Sequence, residues 1–383
     1  MLILHVITGL DRGGAETALL RLIQGHRGAA YAHRVVSLLP GGALIPAFKE
    51  SGILVDELDL AGSPLRTFAR LFRLCRRLRP DIVQTWLYHA DLVGGLAARL
   101  AGIRNVVWGI HTTWLTGGGS RSTVAARRTC AWLSRAIPQR IVCVADASRR
   151  VHEQIGYSSE RLMVIPNGFD VDAFRADDEA VAALRADLNL PCDSQVIGWV
   201  GRFNEDKDVR GFISAAALLG ERYPRLRFVM VGKGIDANND VLDRWLTETG
   251  HPQRFMLLGE RRDVPVCLGL MDVFCLSSRT EAFPLVVGEA MASGLPCVVT
   301  DVGDAGLLVA DTGVVVPKED ACALAQGLAS VLDAPVSVRL ERGRRAEARI
   351  RAHFSMSHIL SRYTALYEGL TGAKTPAPVC ADS

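Results

Sequence analysis

The sequence has nine cysteines but no pair at C-x-x-C spacing, and it has no histidine cluster at zinc-ligand spacing. The cysteines are therefore interpreted as reduced thiols, mostly small core residues, and not as ligands of a zinc site. The chain also lacks a run of 18 uncharged apolar residues, so no membrane-spanning helix is expected. Residues 2–8 are apolar but have no basic segment before them, which favours a first strand over a signal peptide.

Length and charge divide the chain into two parts. With 383 residues it exceeds the roughly 250 to 300 beyond which single cores split, so two domains are expected. Residues 1–170 hold 21 lysines and arginines against 12 aspartates and glutamates, a balance of +9. The remaining residues hold 23 against 29, a balance of −6. The basic first half indicates an anionic partner for that half.

Short β-branched or aliphatic segments alternate with helical patterns along the whole chain. This alternation is typical of parallel sheets with crossover helices, so both halves are predicted to be α/β. The strands predicted in the first half are residues 2–8, 33–39, 53–58, 81–86, 105–110, 140–144 and 161–165. Those predicted in the second half are residues 196–200, 226–231, 254–258, 273–277, 297–300 and 314–316.

A turn-rich segment, Pro166-Asn167-Gly168-Phe169-Asp170, separates the two strand series and is predicted to be the hinge. The predicted domains are residues 1–170 and 171–370, with the last helix as a candidate to pack back on the first domain. Residues 336–370 form an arginine-rich helical stretch. Residues 371–383 are rich in Pro, Ala and Thr and are predicted to be a flexible tail.

Ligands of open parallel sheets bind beyond the carboxyl ends of the strands, so the loops that follow strands are the candidate sites. One such loop, residues 201–208, carries Arg202 and Lys207 between a strand end and a helix start. A guanidinium fork and a mobile ammonium group together suit a diphosphate. The alternative is a surface loop in which these cations pair with Glu205 and Asp206.

Two glutamates eight residues apart, Glu281 and Glu289, form the most specific feature. Glu281 is predicted in a loop, and Glu289 is predicted five or six residues into a helix that begins near Phe283. Acceptors separated in this way can hold hydroxyls at both ends of a molecule whose diphosphate lies over the helix N-terminus. A nucleotide-sugar is such a molecule. Pairing of Glu289 with a buried arginine is the structural alternative.

Two further loops hold weaker candidates. Gly13 and Gly14 follow the first strand and precede a helix, where adjacent glycines let a ligand approach the backbone. A plain tight turn explains this pair equally well. His111 follows the fifth predicted strand, and a lone histidine in that position is more often structural.

These motifs, in this order and spacing, resemble those of glycosyltransferase family 4, a group of retaining enzymes with the GT-B fold. The matching segments are Glu-x7-Glu, Gly-Arg-x4-Lys, Gly-Gly-Ala-Glu at 13–16, Pro-Asn-Gly-Phe-Asp at 166–170 and Val-Gly-Lys-Gly at 231–234. The resemblance covers the chain to about residue 365. It implies an α/β fold of two Rossmann-like domains facing a central cleft, the first for the acceptor and the second for the nucleotide-sugar.

The resemblance also implies roles for single residues. It assigns Glu281 to the sugar hydroxyls, Glu289 to the ribose, Arg202 and Lys207 to the diphosphate, Gly13 and Gly14 to the loop near the phosphates, and His111 to the donor sugar. Pro284 stands where the family often has glycine and has no N–H, so Phe283 and Leu285 would supply the backbone donors.

The implied function is metal-independent, retaining transfer of a hexose from a nucleotide-sugar, with a UDP-sugar favoured. The implied acceptor is a glycan or a lipid-linked glycan of cell-surface polysaccharide synthesis. No cofactor and no nucleic-acid partner are expected, because the nucleotide-sugar is a substrate. The predicted location is the cytoplasm.

A basic amphipathic helix is predicted over residues 64–78, with arginines at 66, 70, 73, 76 and 77. Such a helix can lie on an anionic membrane surface, which predicts peripheral binding to the inner face of the membrane. A core-packed helix with a solvated arginine face is the alternative.

Other functions are compatible with parts of the pattern. G-x-G-x-x-A at residues 232–237, followed by Glu260, fits an NAD-type dehydrogenase, but that interpretation leaves Lys207 and Glu281 without roles. A nucleotide-sugar epimerase and a catalytically inactive sugar-binding module also remain. Two D-x-D sequences, at 170–172 and 206–208, raise a metal site as a last alternative, although Lys207 already supplies positive charge at the second.

Overall fold

The computed structural model describes residues 1–28, 30–113 and 120–372. The chain forms two compact units. Of the described residues, the first unit contains Met1–Gly168 and residues 356–372, and the second contains Phe169–Ser355. The boundary thus lies two residues before the predicted one, and residues 356–370 group with the first unit and not with the second.

The first unit is a seven-stranded sheet with helices between its strands. Its strands are β1 (Leu2–Ile7), β2 (Ala32–Ser37), β3 (Leu54–Glu57), β4 (Ile82–Trp86), β5 (Val106–Ile110), β6 (Arg140–Cys143) and β7 (Leu162–Val164). Its helices are α1 (Gly14–Gly25), α2 (Ile45–Glu50), α3 (Pro64–Leu78), α4 (Tyr88–Leu100), α5 (Arg121–Leu133) and α6 (Asp146–Gln154). The strands are parallel in the order β3-β2-β1-β4-β5-β6-β7.

The second unit is a six-stranded sheet. Its strands are β8 (Gln195–Val200), β9 (Leu226–Val231), β10 (Phe255–Leu257), β11 (Val273–Leu276), β12 (Cys297–Thr300) and β13 (Val314–Val316). Its helices are α7 (Asp178–Asp187), α8 (Val209–Gly220), α9 (Asp240–Glu248), α10 (Val264–Gly269), α11 (Leu285–Ala292), α12 (Ala305–Val309), α13 (Ala321–Leu332) and α14 (Val336–His353). The strands are parallel in the order β10-β9-β8-β11-β12-β13.

Four single turns of 3-10 helix lie in the second unit, at Asp172–Phe174, Glu205–Lys207, Pro252–Arg254 and Ala310–Thr312. The last helix of the described chain is α15 (Met356–Thr371). The strand prediction is confirmed in both units, with each predicted end within two residues of the observed one.

Both sheets are covered on their two faces, as the near-continuous apolar strands require. All five residues of β4 and of β5 are buried, and so are all four of β11 and of β12. Among the described residues, an apolar cluster lies on one face of the sheet of the second unit, and two clusters lie in the first unit. Each sheet therefore presents only the ends of its strands to ligands.

The predicted helical stretch of residues 336–370 is divided into α14 and α15. The two helices are separated by a break at residues 354–355, where the backbone N–H of Phe169 donates to the carbonyl of Phe354 at 2.9 Å. Beyond the break, α15 buries Ile359, Tyr363 and Tyr367 in the core of the first unit. Burial of this apolar face is the reason why α15 joins the first unit and not the second.

Three predictions concern membranes, the tail and thiols. Within the described ranges, no single helix is long and apolar enough to cross a bilayer, and α13 with α14 meets that criterion only as a pair bent by 108°. Residues 373–383 of the predicted tail lie outside the described residues. The eight cysteines in the described part of the chain are free, and six of them are buried.

Candidate active site

The strand order of the second unit reverses beside β8. The chain runs from β8 outward to β9 and β10, and then returns to place β11 on the other side of β8. Ligands of open α/β sheets bind at such a switch point, beyond the carboxyl ends of the two central strands. The loops that follow β8 and β11 contain the predicted diphosphate cations and the predicted glutamates.

The loop after β8 is held by its own polar side chains. Asn204 accepts a hydrogen bond from the backbone N–H of Lys207 at 3.2 Å and caps the 3-10 turn Glu205–Lys207. Asp208 has a left-handed backbone, with φ of 44°, and caps α8 by accepting from the N–H of Gly211 at 3.3 Å. These caps satisfy backbone donors that would otherwise be unpaired and fix the direction of Lys207.

The two loops are joined by hydrogen bonds. The hydroxyl of Ser277 donates to the carbonyl of Lys207 at 2.9 Å and accepts from the indole N–H of Trp199 at 3.0 Å. The backbone N–H of Arg279 donates to the carbonyl of Asp206 at 2.8 Å. Since Ser277 is 1% exposed, this junction belongs to the core and places both loops in one rigid frame.

Lys207 and Glu281 form an ion pair within this frame. The distance from Nζ to Oε1 is 2.5 Å, and the two side chains are 19% and 13% exposed. The hydroxyl of Ser278 donates to the same carboxylate oxygen at 2.7 Å. The alternative in which Lys207 pairs with Glu205 or Asp206 is therefore wrong, because its partner is the first glutamate of the Glu-x7-Glu pair.

The same two loops also carry two arginines, which differ in their contacts. Arg202 is exposed, and its side chain has no hydrogen bond or ion pair to any residue that the structure describes. Arg279 pairs with Asp208 at 3.1 Å and with Glu319 at 3.3 Å. Arg202 therefore presents an uncompensated charge, whereas the charge of Arg279 is neutralised by its own neighbours.

The second glutamate lies on α11, which begins at Leu285. Pro284 is the N-cap residue and Glu289 is the fifth helical residue, partly buried. The first N–H groups of a helix have no partner within it, so those at Leu285 and Val286 point beyond the end of α11. The ring of Phe283 packs between Phe169 and Phe354 at centroid distances of 6.1 and 5.7 Å, so only the backbone of Phe283 is available to a ligand.

Gly303 shapes the site and was not predicted from the sequence. Its φ is +55°, and a Cβ at this position would overlap the carbonyl oxygen of Glu281. The N–H of Asp304 donates to the carbonyl of Ala282 at 2.9 Å, which continues the contact. The Glu281 loop thus rests directly on the backbone at residues 303 and 304, and the only sequence signal for this is a glycine shortly after a strand.

The G-x-G segment after β9 has a packing role. A Cβ on Gly232 would overlap the carbonyl oxygen of Gly201, and the carbonyl of Lys233 accepts from the N–H of Phe203 at 2.9 Å. The glycine therefore allows the loop after β9 to lie against the loop that carries Arg202. This close approach accounts for the motif without a dinucleotide.

The remaining predicted residues lie in the first unit. Gly13 is the N-cap of α1 with an extended backbone, Gly14 is the first helical residue, and a Cβ on Gly13 would overlap the carboxylate of Glu16. His111 follows β5, and its ring stacks on Trp86 with centroids 4.9 Å apart and planes 24° apart. Burial lowers the pKa of His111 to about 4, which keeps its imidazole neutral near pH 7.

The two D-x-D segments are occupied by structural contacts. Asp208 accepts from Gly211 and pairs with Arg279, and Asp172 pairs with Arg351 at 3.2 Å. In the described ranges, no group of three or more His, Cys, Asp or Glu side chains is arranged to hold a metal ion.

Comparisons with known proteins identify the chain. The profile of Glycosyltransferase Family 4 matches residues 12–173, and that of Glycosyl transferases group 1 matches residues 194–334. A putative glycosyltransferase of Bacillus subtilis, EpsF, is 30% identical over 326 residues, which are 78% of this chain and 79% of the relative. An Escherichia coli enzyme, UDP-Gal:alpha-D-GlcNAc-diphosphoundecaprenol alpha-1,3-galactosyltransferase, is 29% identical over 279 residues, which are 68% of this chain and 72% of the relative.

The fold has close counterparts among solved structures. Anabaena HepE in complex with UDP and glucose superposes with a TM-score of 0.85 at 22% identity, over 96% of this chain and all of that chain. A Thermosynechococcus elongatus sucrose-phosphate synthase superposes with a TM-score of 0.81 over 98% of this chain. The two Rossmann-like α/β units are those of the GT-B fold, and the protein is a glycosyltransferase that belongs to family 4.

Proposed function

We propose that the second unit binds a nucleoside diphosphate sugar, and that the enzyme transfers the sugar with retention of configuration and without a metal ion. The observation that carries this proposal is the convergence of Lys207 and Glu281 at the switch point between β8 and β11. A cation beside a carboxylate can serve both halves of such a donor, the phosphates and the sugar hydroxyls. The proposal uses both side chains and leaves neither charge buried without a partner.

The leaving group of this reaction is a nucleoside diphosphate, whose negative charge grows in the transition state. Arg202 has no partner among the described residues and can turn its fork to the phosphate oxygens, while Lys207 would meet them as a point charge. The N–H groups at Leu285, with those near Phe283, add the positive end of α11. Preorganised donors of this kind supply the stabilisation that a metal ion would otherwise provide.

The two glutamates have separate proposed roles. Glu281, in the loop before α11, would accept hydrogen bonds from the sugar hydroxyls. Glu289 lies four residues beyond the start of α11, roughly 6 Å along the helix axis, and would accept from the ribose hydroxyls. Gly13 and Gly14 would approach the phosphates, and the neutral imidazole of His111 would meet the sugar.

A UDP-sugar is the proposed donor. The Escherichia coli relative is named for UDP-Gal, and HepE was crystallised with UDP and with UDP-glucose. We propose that no cofactor is needed in addition, because the nucleotide-sugar is itself a substrate. Retention is proposed from family membership, with a front-face displacement as its mechanism.

The proposed acceptor is a lipid-linked glycan at the cytoplasmic face of a membrane. The Escherichia coli relative acts on a diphosphoundecaprenol-linked sugar by its name. Helix α3 supports a membrane role because Arg66, Arg70, Arg73 and Arg77 follow one another on one face at spacings of four, three and four. None of these four side chains has an ion pair or a hydrogen bond to a residue that the structure describes.

The neighbouring surface strengthens this proposal. Residues 60–145 contain 13 arginines and only two acidic residues, of which Asp91 is buried and Asp81 accepts the N–H of Leu2 at 2.7 Å. Helix α3 packs against α4, and α4 packs against α5, where Trp132 is 79% exposed. Arg70, Arg73 and Arg77 also line a pocket of about 510 Å³ together with Asp56, which is paired with Arg34, and we propose that anionic headgroups bind there.

The test is a donor panel. Thermal-shift measurements with UDP-, GDP- and ADP-sugars should give the largest stabilisation with one UDP-sugar, because a ligand that binds only the native state stabilises it by mass action. Transfer from that donor should persist in EDTA, and NMR of the product should show the anomeric configuration of the donor. Strict dependence on Mg²⁺ or Mn²⁺, or an inverted product, would overturn the corresponding part of the proposal.

A further inference from the structure

Four aromatic rings form a diagonal across the sheet of the first unit. They belong to His33 on β2, His5 on β1, Trp86 on β4 and His111 after β5, and these strands are adjacent in the order β2-β1-β4-β5. His33 is in register with Ile3, two residues before His5, and Trp86 is in register with Ile7, two residues after His5. Steps of two residues keep side chains on one face of a sheet.

The last step of the diagonal follows the same rule. Gln84 is in register with Val107, so Trp86 lies level with Gly109, and His111 is two residues farther along. The stacked rings of Trp86 and His111 lie at the end of this diagonal. The predicted donor-facing histidine is therefore the last member of a ring series that passes through the buried rings of His5 and Trp86.

Hydrogen bonds run along the inner part of the series. The indole N–H of Trp86 donates to Nδ1 of His5 at 3.3 Å. Nε2 of His5 lies 3.0 Å from Nδ1 of His33, and Nε2 of His33 lies 3.2 Å from Nδ1 of His26. Burial lowers the pKa of His26 to about 4 and that of His33 to about 3, so these rings are neutral near pH 7.

The indole of Trp86 determines which ring nitrogen donates in each hydrogen bond of the series from His5 to His33 to His26. Tryptophan only donates, so Nδ1 of His5 must accept and the His5 proton must lie on Nε2. That proton is donated to His33, which in turn carries its own proton on Nε2 and donates it to His26. Loss of the indole N–H would leave the direction of hydrogen-bond donation among the three histidines undetermined.

The histidine chain also restrains the indole. Trp86 is 1% exposed, and its N–H is bonded to a His5 ring that is itself bonded to His33. A buried indole that is fixed by a hydrogen bond cannot rotate without leaving a polar group unpaired, which costs about 1 to 3 kcal/mol. The face on which His111 stacks is therefore held in one orientation.

We propose that Trp86 is a positioning residue for His111, and that the His5–His33–His26 chain fixes Trp86 in the required orientation. The inference rests on the proposed role of His111 in meeting the donor sugar. It predicts that His5 and Trp86, neither of which needs to touch a substrate, act on transfer only through His111.

The test compares His5→Leu, which removes the acceptor for the indole, with His5→Asn, whose amide oxygen can replace Nδ1. Trp86→Phe keeps a ring against His111 and removes the N–H, and it serves if His5→Leu folds poorly. We expect His5→Leu and Trp86→Phe to lower kcat about tenfold, within the hundredfold that a misplacement of about 1 Å can cause. The KM for the donor should stay within about twofold, and His5→Asn should recover most of kcat.

The same substitutions in a His111→Ala background separate positioning from a structural role. We expect His111→Ala to lower kcat by about 10²-fold, and the other substitutions to add no further loss to it. Additive losses, or His5→Asn as slow as His5→Leu, would overturn the positioning role while the role of His111 stands. Full activity of His111→Ala would instead overturn the proposed role of His111, and the positioning role with it.

Discussion

Lys207 Nζ lies 2.5 Å from Glu281 Oε1, although the two residues are 74 positions apart in the chain. The contact joins the loop after β8 to the loop after β11 and compensates both charges before any donor is present. A bound donor must share or replace this ion pair, since its phosphates compete for Lys207 and its hydroxyls compete for Glu281. Binding and local stability are therefore coupled at this point.

Arg202 and Lys207, the two residues proposed to bind the diphosphate, should differ in their effect on stability. Lys207→Ala leaves the Glu281 carboxylate without its cation in a largely buried position, so we expect a lower Tm together with a transfer barrier raised by about 3 kcal/mol. Arg202→Ala removes an exposed side chain without a described partner, so transfer should fall comparably while Tm stays unchanged. Differential scanning fluorimetry and initial rates measure both effects. Equal Tm values for the two variants would contradict the coupling.

The two glutamates should separate sugar recognition from nucleotide recognition. Glu281→Ala should lower transfer about 10²-fold and leave the Kd for the nucleoside diphosphate within a few-fold of wild type. Glu289→Ala should weaken that Kd by about 1.5 to 3 kcal/mol, the contribution of hydrogen bonds to a charged group. Calorimetric titration of the nucleoside diphosphate distinguishes them. Small, equal effects from both substitutions would refute the assignment.

The contact between Gly303 and the Glu281 loop should be required for donor binding. Gly303→Ala introduces a Cβ against the Glu281 carbonyl at a positive φ, so we expect a lower Tm and a loss of donor affinity. Gly250→Ala is the matched control, because its φ is +75° but no atom lies within 4 Å of the added Cβ. A thermal-shift titration with the donor compares the two. Equal affinities would show that backbone strain alone, and not the contact, determines the effect.

Unfolding free energy should decrease as the pH falls from about 6.5 toward 4. The pKa values of His26 and His33 are lowered to about 4 and about 3, so in this window the unfolded chain binds protons that the folded chain does not. Each such histidine lowers the unfolding free energy by up to about 1.4 kcal/mol for each pH unit below 6.5 and has no effect on it above pH 6.5. Burial raises the pKa of Asp91 to about 8, so this one carboxyl favours the folded state on acidification and offsets one histidine only.

Urea denaturation at several pH values measures this slope. His33→Gln should make it shallower, whereas His353→Gln, which changes an exposed histidine, should not. An unchanged slope in the His33 variant would show that this histidine is protonated in the folded state as readily as in the unfolded one.

Anionic vesicles should bind the first unit reversibly. With Arg70, Arg73 and Arg77 changed to Glu, we expect the protein to remain in the supernatant after cosedimentation, because each arginine near an anionic surface contributes about 1 kcal/mol. The control changes three exposed arginines of the second unit, Arg175, Arg244 and Arg262, and so alters the net charge equally. Raised salt should release the wild type. Equal recovery from anionic and neutral vesicles would favour an acceptor that is not at the membrane.

Much of the fold was accessible from the sequence. Strands such as Leu226–Val231 and Cys297–Thr300 were predicted at their observed ends, because buried parallel strands are short apolar runs between polar loops. The candidate side chains were accessible for the same reason, since polar residues directly after apolar strands mark the ligand-binding edge. The helix α3 was also predicted at its observed bounds from its apolar period.

The sequence by itself thus determined the two α/β units, the position of each strand and the loops that carry Arg202, Lys207 and Glu281. Tertiary structure alone decided that Lys207 pairs with Glu281 and not with Glu205, that Gly303 supports the glutamate loop, and that α15 joins the first unit. It also decided that His5, His33 and Trp86 are joined in one series of hydrogen bonds. Local patterns record only burial and backbone preference, whereas contacts between distant residues depend on the order and register of the strands, which arise when the whole sheet assembles.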